Sequence, residues 1–141
     1  MNYPASDAFR TAAPADTPPG AEARLEDYQG ALEQAGKDLA DAADAETDAE
    51  LTRDSARDSL LLDPDCPKCG TFDHVRVTVA ERDAWVNSQI TTLEREYRVA
   101  KRARERAENR LRILERQGGI QQSIAASVRE TYTRNSGGRY P

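Results

Sequence analysis

Large apolar side chains are scarce in this chain of 141 residues, which has two Phe, one Trp and one Met. Hydrophobic residues of every kind make up 38% and charged residues 32%, and the mean hydropathy is -0.82. Burial of apolar area is what offsets the ordering entropy of folding. Such a composition excludes a deep globular core and suits helices that each bury a single stripe. There is no run approaching the roughly 18 apolar residues that a membrane-spanning helix needs. The opening MNYPASDAFR lacks a basic region followed by an apolar one, so no secretory signal is expected. Only two cysteines and one histidine are present. That count excludes a disulfide-rich scaffold, points to a reducing compartment, and leaves little for nucleophilic catalysis, which needs a base and an orienting group beside the nucleophile. The chain is expected not to be an enzyme.

Charge, by contrast, is plentiful and unevenly placed. The net charge is -5, which offers no bulk attraction for nucleic acid. Between Glu22 and Asp58 there are twelve acids and four bases, a net of -8; between Thr91 and Gln117 there are nine bases and five acids, a net of +4. Two such segments lying side by side would neutralise one another, the simplest reading of both runs.

The pattern along the chain predicts an all-α fold, a long antiparallel coiled-coil hairpin of two helices. Residues 1–20, with four prolines among small and polar residues, read as a disordered arm. A first helix is predicted over 21–62, where Leu25, Tyr28, Leu32, Ala35, Leu39 and Ala42 keep a 3-4 spacing. Beyond them the seam thins to Ala45, Ala49, Ala56 and Leu60. Asp63-Pro64 ends the helix, since the residue before proline disfavours the α conformation. A tip over 63–77 follows, with a Cys-x-x-Cys turn and a short extended run at Val75 and Val77. The second helix, over 78–117, opens on Thr78-Val79-Ala80-Glu81, the pattern of a capping box. Val86, Ile90, Leu93, Tyr97, Ala100, Ala107, Leu111 and Leu114 then repeat the 3-4 spacing, with Arg104 the one polar interruption. Gly118-Gly119 is expected to stop it. Residues 118–133 are predicted as a short amphipathic helix and 134–141 as a flexible tail. The two long segments are of similar length and joined by a short connection, which predicts that they run back to back.

The tip holds the clearest chemistry. Cys66-Pro67-Lys68-Cys69-Gly70 has the form of one zinc knuckle, a turn that presents two thiolates. Tetrahedral zinc wants four ligands. His74 is the candidate third, and Asp63, Asp65 or Asp73 could supply a fourth. The other solution is two chains donating Cys66 and Cys69 each. A third is an incidental turn without metal. Phe72, Val75, Val77 and Trp85, with Leu60 to Leu62, read as an apolar plug beneath the tip.

Two resemblances rest on these residues. The Cys-Pro-Lys-Cys turn at the bend resembles the zinc hook of the coiled-coil DNA-repair ATPases; the likeness covers about fifteen residues and the flanking helices, and no phosphate-binding loop accompanies it. The helix opened by Thr78 to Arg82, the Leu111-x-x-Leu114 run and the stretch from Gln121 to Arg129 are similar to small helical-hairpin phage proteins encoded beside genes for DNA recombination or replication. The cysteine turn is not typical of that group. The likeness implies an accessory factor in phage DNA metabolism, in the cytoplasm of a bacterial or phage-infected cell.

Three functions stand as expectations. The first is a non-enzymatic interaction or adaptor protein, with Ile120, Ile124, Val128 and Tyr132 as the docking stripe for a protein partner. The second is a zinc-linked homodimer joined through Cys66 and Cys69. The third, less favoured, is a nucleic-acid binder using Arg98, Arg102, Arg106 and Arg110, of which the first three share a helix face at four-residue spacing. No membrane role is expected.

Overall fold

A computed structural model describes Pro14 and residues 16–72 and 75–137. The tail beyond Gly137, His74, Asp73 and most of the N-terminal arm lie outside the described residues. The described chain is all-α with one minor ribbon. Helix α1 spans Pro18–Leu61, strands β1 (Gly70–Phe72) and β2 (Val75–Val77) follow, and helices α2 (Val79–Gln89) and α3 (Thr91–Gly137) complete the order. No helix among the described residues is long and apolar enough to cross a membrane.

The first helix begins at Pro18, inside the segment expected to be a disordered arm. Proline suits this place, because the first turn has no intrahelical use for the missing N–H. Thr17 supplies the cap: its hydroxyl accepts from the Gly20 amide at 3.4 Å. At the other end the Asp63 amide donates to the Leu60 carbonyl at 3.1 Å, and Pro64 follows. The Asp63 carboxylate then accepts from the Asp65 amide at 2.8 Å, which closes a local turn. The ribbon pairs antiparallel, with Gly70 opposite Val77 and Phe72 opposite Val75. Gly70 adopts φ 135, a backbone region open to glycine.

The capping box at Thr78 is present in full. The Thr78 hydroxyl accepts from the Glu81 amide, and Glu81 accepts from the Thr78 amide at 2.6 Å. The expected single second helix is broken once, at Ile90, whose φ -105 and ψ 17 leave the helical region. The cause is local. The Ser88 hydroxyl donates to the Trp85 carbonyl at 2.6 Å, and the Thr91 hydroxyl to the Asn87 carbonyl at 3.2 Å. Hydroxyls that bond back into the preceding turn bend helices.

The expected stop at Gly118-Gly119, and with it the separate helix over 118–133, is not found: α3 runs through both glycines to Gly137. Among the described residues Gly70 is the one glycine with positive φ, so neither Gly118 nor Gly119 acts as a left-handed cap. Gly118 is buried instead, and a Cβ there would sit 3.7 Å from the Leu32 side chain. That is ordinary van der Waals contact, so the position faces α1 and has room for a methyl group.

The chain resolves into two compact units. One draws on residues up to Gly36 and from Arg110, the other on Lys37–Asn109. In the 37–109 unit, Arg57 donates to Asn87 at 2.8 Å, Arg53 lies over the Tyr97 ring, and Arg104 pairs with Glu46. Rising numbers on α1 meet falling numbers on its neighbour, so these segments are antiparallel. The buried and half-buried positions on α1 include the row Leu39, Ala42, Glu46, Ala49, Arg53, Ala56 and Leu60, and those on its neighbour include the row Val86, Ile90, Leu93, Tyr97, Ala100, Arg104 and Ala107. Both keep the 3-4 spacing without a gap. The seam on α1 therefore does not thin where the apolar residues do. It continues through Glu46 and Arg53, and Ala45 points to solvent.

The other unit shows the same sense. Glu22 pairs with Arg129 at 3.1 Å, and Leu32 lies against Gly118. Its inward positions include Ala21, Leu25, Tyr28, Leu32 and Ala35 on α1, with Leu111, Leu114, Gly118, Gln121, Ala125 and Val128 on α3.

Candidate functional site

Three places carry chemistry, and the first lies in the seam of the 37–109 unit. Positions 46, 53, 97 and 104 all fall on the 3-4 stripe, yet two are arginines and one a glutamate. The Arg104 guanidinium donates to Glu46 across the seam and to Glu108 at 3.1 Å along its own helix. Hydrogen bonding to Glu46 first, and then its charge, holds Arg104 above the ordinary arginine range. Arg53 is more enclosed, with a side chain 15% exposed. Its guanidinium stands 4.1 Å from the Tyr97 ring centre, 2.8 Å from Asp54 and 3.7 Å from Glu94. The Asp54 hydrogen bond is the largest cause that raises its pKa. Both side chains stay cationic at any working pH. A polar layer in an apolar seam contributes little net stability but penalises other registers, because a slipped pairing would leave a charge without its partner.

The second place is the tip. Cys66 and Cys69 are both free thiols, Cys66 buried and Cys69 exposed. They line one surface depression of about 610 Å³ with Leu62, Pro64, Lys68 and Arg82. The structure thus places two of the three expected metal ligands on one depression, while His74 lies outside the described residues. Of the candidate fourth ligands, Asp63 is already engaged with the Asp65 amide. Among the described residues there is no group of three His, Cys, Asp or Glu side chains placed to hold a metal ion. The residues expected to form an apolar plug divide: Leu60 is half-buried, and the Phe72 side chain lies outside the described residues. Leu61 is exposed, Leu62 is 86% exposed and Val75 63% exposed, while Val77 and Trp85 are half-buried.

The third place is the solvent face of α3. Of the expected docking stripe, Ile120 is 60% exposed and Ile124 and Tyr132 are also exposed, but Val128 turns half-buried toward the seam side. The reason is geometric. Steps of four residues overshoot a 3.6-residue turn by about 40° each, so a row repeating every fourth residue spirals round the helix. The residue that shares the outer face of Ile120 and Ile124 is Ile113, seven residues before Ile120 and 54% exposed. The 3-4 rule finds it when it is counted on the outer face as well as on the seam.

Of the four arginines expected for nucleic acid, Arg98 pairs with Glu94 at 3.4 Å and Arg110 makes an interaction of its own. Arg102 and Arg106, with Arg95 and Lys101, make no ion pair among the described residues. Pairs between the two helices are found at Arg104 with Glu46 and at Arg53 with Glu94, and Asp38, Arg110 and Arg112 also make interactions. Arg104 crosses to an acid of α1, whereas Arg53 crosses the other way, from α1 to Glu94.

Comparison with protein-family models, with curated proteins and with solved structures finds no match to this chain.

Proposed function

We propose that the chain is a non-enzymatic interaction protein, an antiparallel coiled-coil hairpin that offers the outer face of its second long helix to a protein partner. The observation that carries this reading is the second apolar row on α3. Ile113, Ile120 and Ile124 stay exposed although the 3-4 seam positions around them are filled. Exposed rows of this kind, flanked by polar residues, are how amphipathic helices dock. An accessory role in phage DNA metabolism is the setting that the resemblance to helical-hairpin phage proteins implies. The test is affinity purification from the native cell with wild type and Ile120→Glu/Ile124→Glu. A protein retained by the wild type and lost from the variant supports the reading. Equal recovery by both, or no partner for either, contradicts it. The substituted positions are exposed, so the variant keeps its helical circular dichroism.

A second reading is a zinc-linked dimer through the tip. It is supported by two free thiols on one depression, lined also by exposed Leu61 and Leu62 that a second tip could cover. Two chains would then supply the four thiolates that tetrahedral zinc requires. Metal analysis and mass measurement of the full chain, with and without Cys66→Ser/Cys69→Ser, decide it. One zinc per two chains and a dimer lost in the variant support it; a metal-free monomer ends it. A third reading, nucleic-acid binding by the arginines of the second helix, is supported by the absence of ion pairs at Arg102 and Arg106.

A further inference from the structure

Beside the helix break at Ile90, within the 37–109 unit, lies a groove of about 470 Å³. Three arginines from two helices line it, Arg57 of α1 and Arg95 and Arg98 of α3, with Asn87, Thr91 and Glu94. Three guanidiniums and one carboxylate give the lining a formal charge of +2 in a chain whose net charge is -5. The one acid is already shared: Glu94 lies 3.7 Å from Arg53 and 3.4 Å from Arg98. Arg57 donates to the Asn87 amide oxygen at 2.8 Å and has no carboxylate partner, and Arg95 makes no ion pair among the described residues. Arg57 is held by a neutral amide while Asp58, beside it in sequence, makes no ion pair to it among the described residues.

We propose that this groove seats backbone phosphates of a nucleic acid strand. The inference deepens the nucleic-acid reading above and rests on it. Arginine presents a planar fork that matches phosphate oxygens bidentately, and Asn and Thr are the usual neutral donors to the same groups. The groove is open and its arginines are wet, so a single free phosphate gains little there against water. A strand gains more, because each seated phosphate releases condensed counterions and Arg102 extends the same helical face one turn further. A repeating polyanion is the ligand whose chemistry suits an open row of arginines that outnumber their one carboxylate.

The test uses the full chain and a labelled single-stranded oligonucleotide, read by fluorescence anisotropy as salt is varied. Three contacts predict that the groove contributes about -2 to the slope of log affinity against log salt, at about 0.7 per contact on a single strand. The variant Arg57→Gln/Arg95→Gln/Arg98→Gln is expected to remove that part of the slope and weaken binding at least tenfold, with an unchanged melting curve as the folding control. Arg102→Gln/Arg106→Gln, outside the groove lining, is expected to lose less. If the strand binds but only the second variant matters, the groove assignment is overturned while the nucleic-acid reading stands. No binding at low salt overturns both. Displacement of the strand by inorganic phosphate beyond the effect of equal ionic strength would make the groove a free-anion site. Equal competition by polyglutamate would make it a seat for acidic polypeptide. Either result overturns the proposal.

Discussion

Replacing Gly118 and Gly119 by alanine is expected to raise stability, and the sign of the effect decides how α3 is built. Both glycines lie inside the helix Thr91–Gly137, and neither has positive φ. In a helix interior, Gly→Ala is worth about 1 kcal/mol through backbone entropy. A Cβ at Gly119 meets nothing within 4 Å, so the Gly119→Ala gain is that alone. At Gly118 the new methyl stands 3.7 Å from the Leu32 side chain, ordinary van der Waals contact, and its burial adds roughly 0.8 kcal/mol. The double variant thus gains about 2.5 to 3 kcal/mol. For a chain of this size that raises the midpoint of thermal unfolding by about 8 to 12 °C. Far-UV circular dichroism during heating reads both the midpoint and the helix content. Had the helix ended at a left-handed glycine, alanine would cost about 1 to 2 kcal/mol there, and the midpoint would fall. A lower midpoint for either single variant would refute the continuous helix.

Other substitutions test other joints. Thr78→Ala removes the hydroxyl half of the capping box and is expected to cost about 1 kcal/mol in urea unfolding; no change would mean that α2 does not depend on its cap. Ile90, at the break between α2 and α3 and almost fully buried, is expected to cost about 2 to 4 kcal/mol as Ile90→Ala, and a loss below 1 would show that the break is not packed. Tyr97→Leu keeps the seam apolar but removes the ring beneath Arg53. It is expected to cost about 0.5 to 1 kcal/mol, and that loss should shrink when Arg53→Met is already present; an undiminished loss would place the contact elsewhere.

Much of the fold was legible in the spacing of apolar residues. The capping box at Thr78, the end of α1 before Pro64 and the extended run at Val75 and Val77 all follow from local sequence, because each depends on neighbours within four residues. The seam was legible only where its residues were apolar. Glu46 and Arg53 interrupt the first stripe, and a reading by hydrophobicity drifts to Ala45; the fixed 3-4 count does not, and it is the count that the packing obeys. The same count carried past Leu114 lands on Gly118, Gln121, Ala125 and Val128, all turned inward. Two adjacent glycines look like a stop because local propensity favours one, but Gly118 falls on the inward stripe facing Leu32, a tertiary position that propensity does not see. The break at Ile90 had a signal in Ser88 and Thr91, masked by the apolar residue between them. Of the candidate sites, the thiol pair was legible in full as a motif. The arginine groove was not, since Arg57 and Arg95 are 38 positions apart and meet only through the antiparallel pairing.

That pairing underlies the polar seam and the arginine groove, and a distance measured within one chain tests it most directly. Thr47 and Ala103 are exposed neighbours of the Glu46 and Arg104 pair, so labels there leave the seam intact. Spin labels at Thr47→Cys and Ala103→Cys, in a Cys66→Ser/Cys69→Ser background and diluted into unlabelled protein, should give a narrow distance below about 30 Å, as expected for helices packed about 10 Å apart. A long or broad distribution, or a short distance that disappears on dilution, would contradict the account.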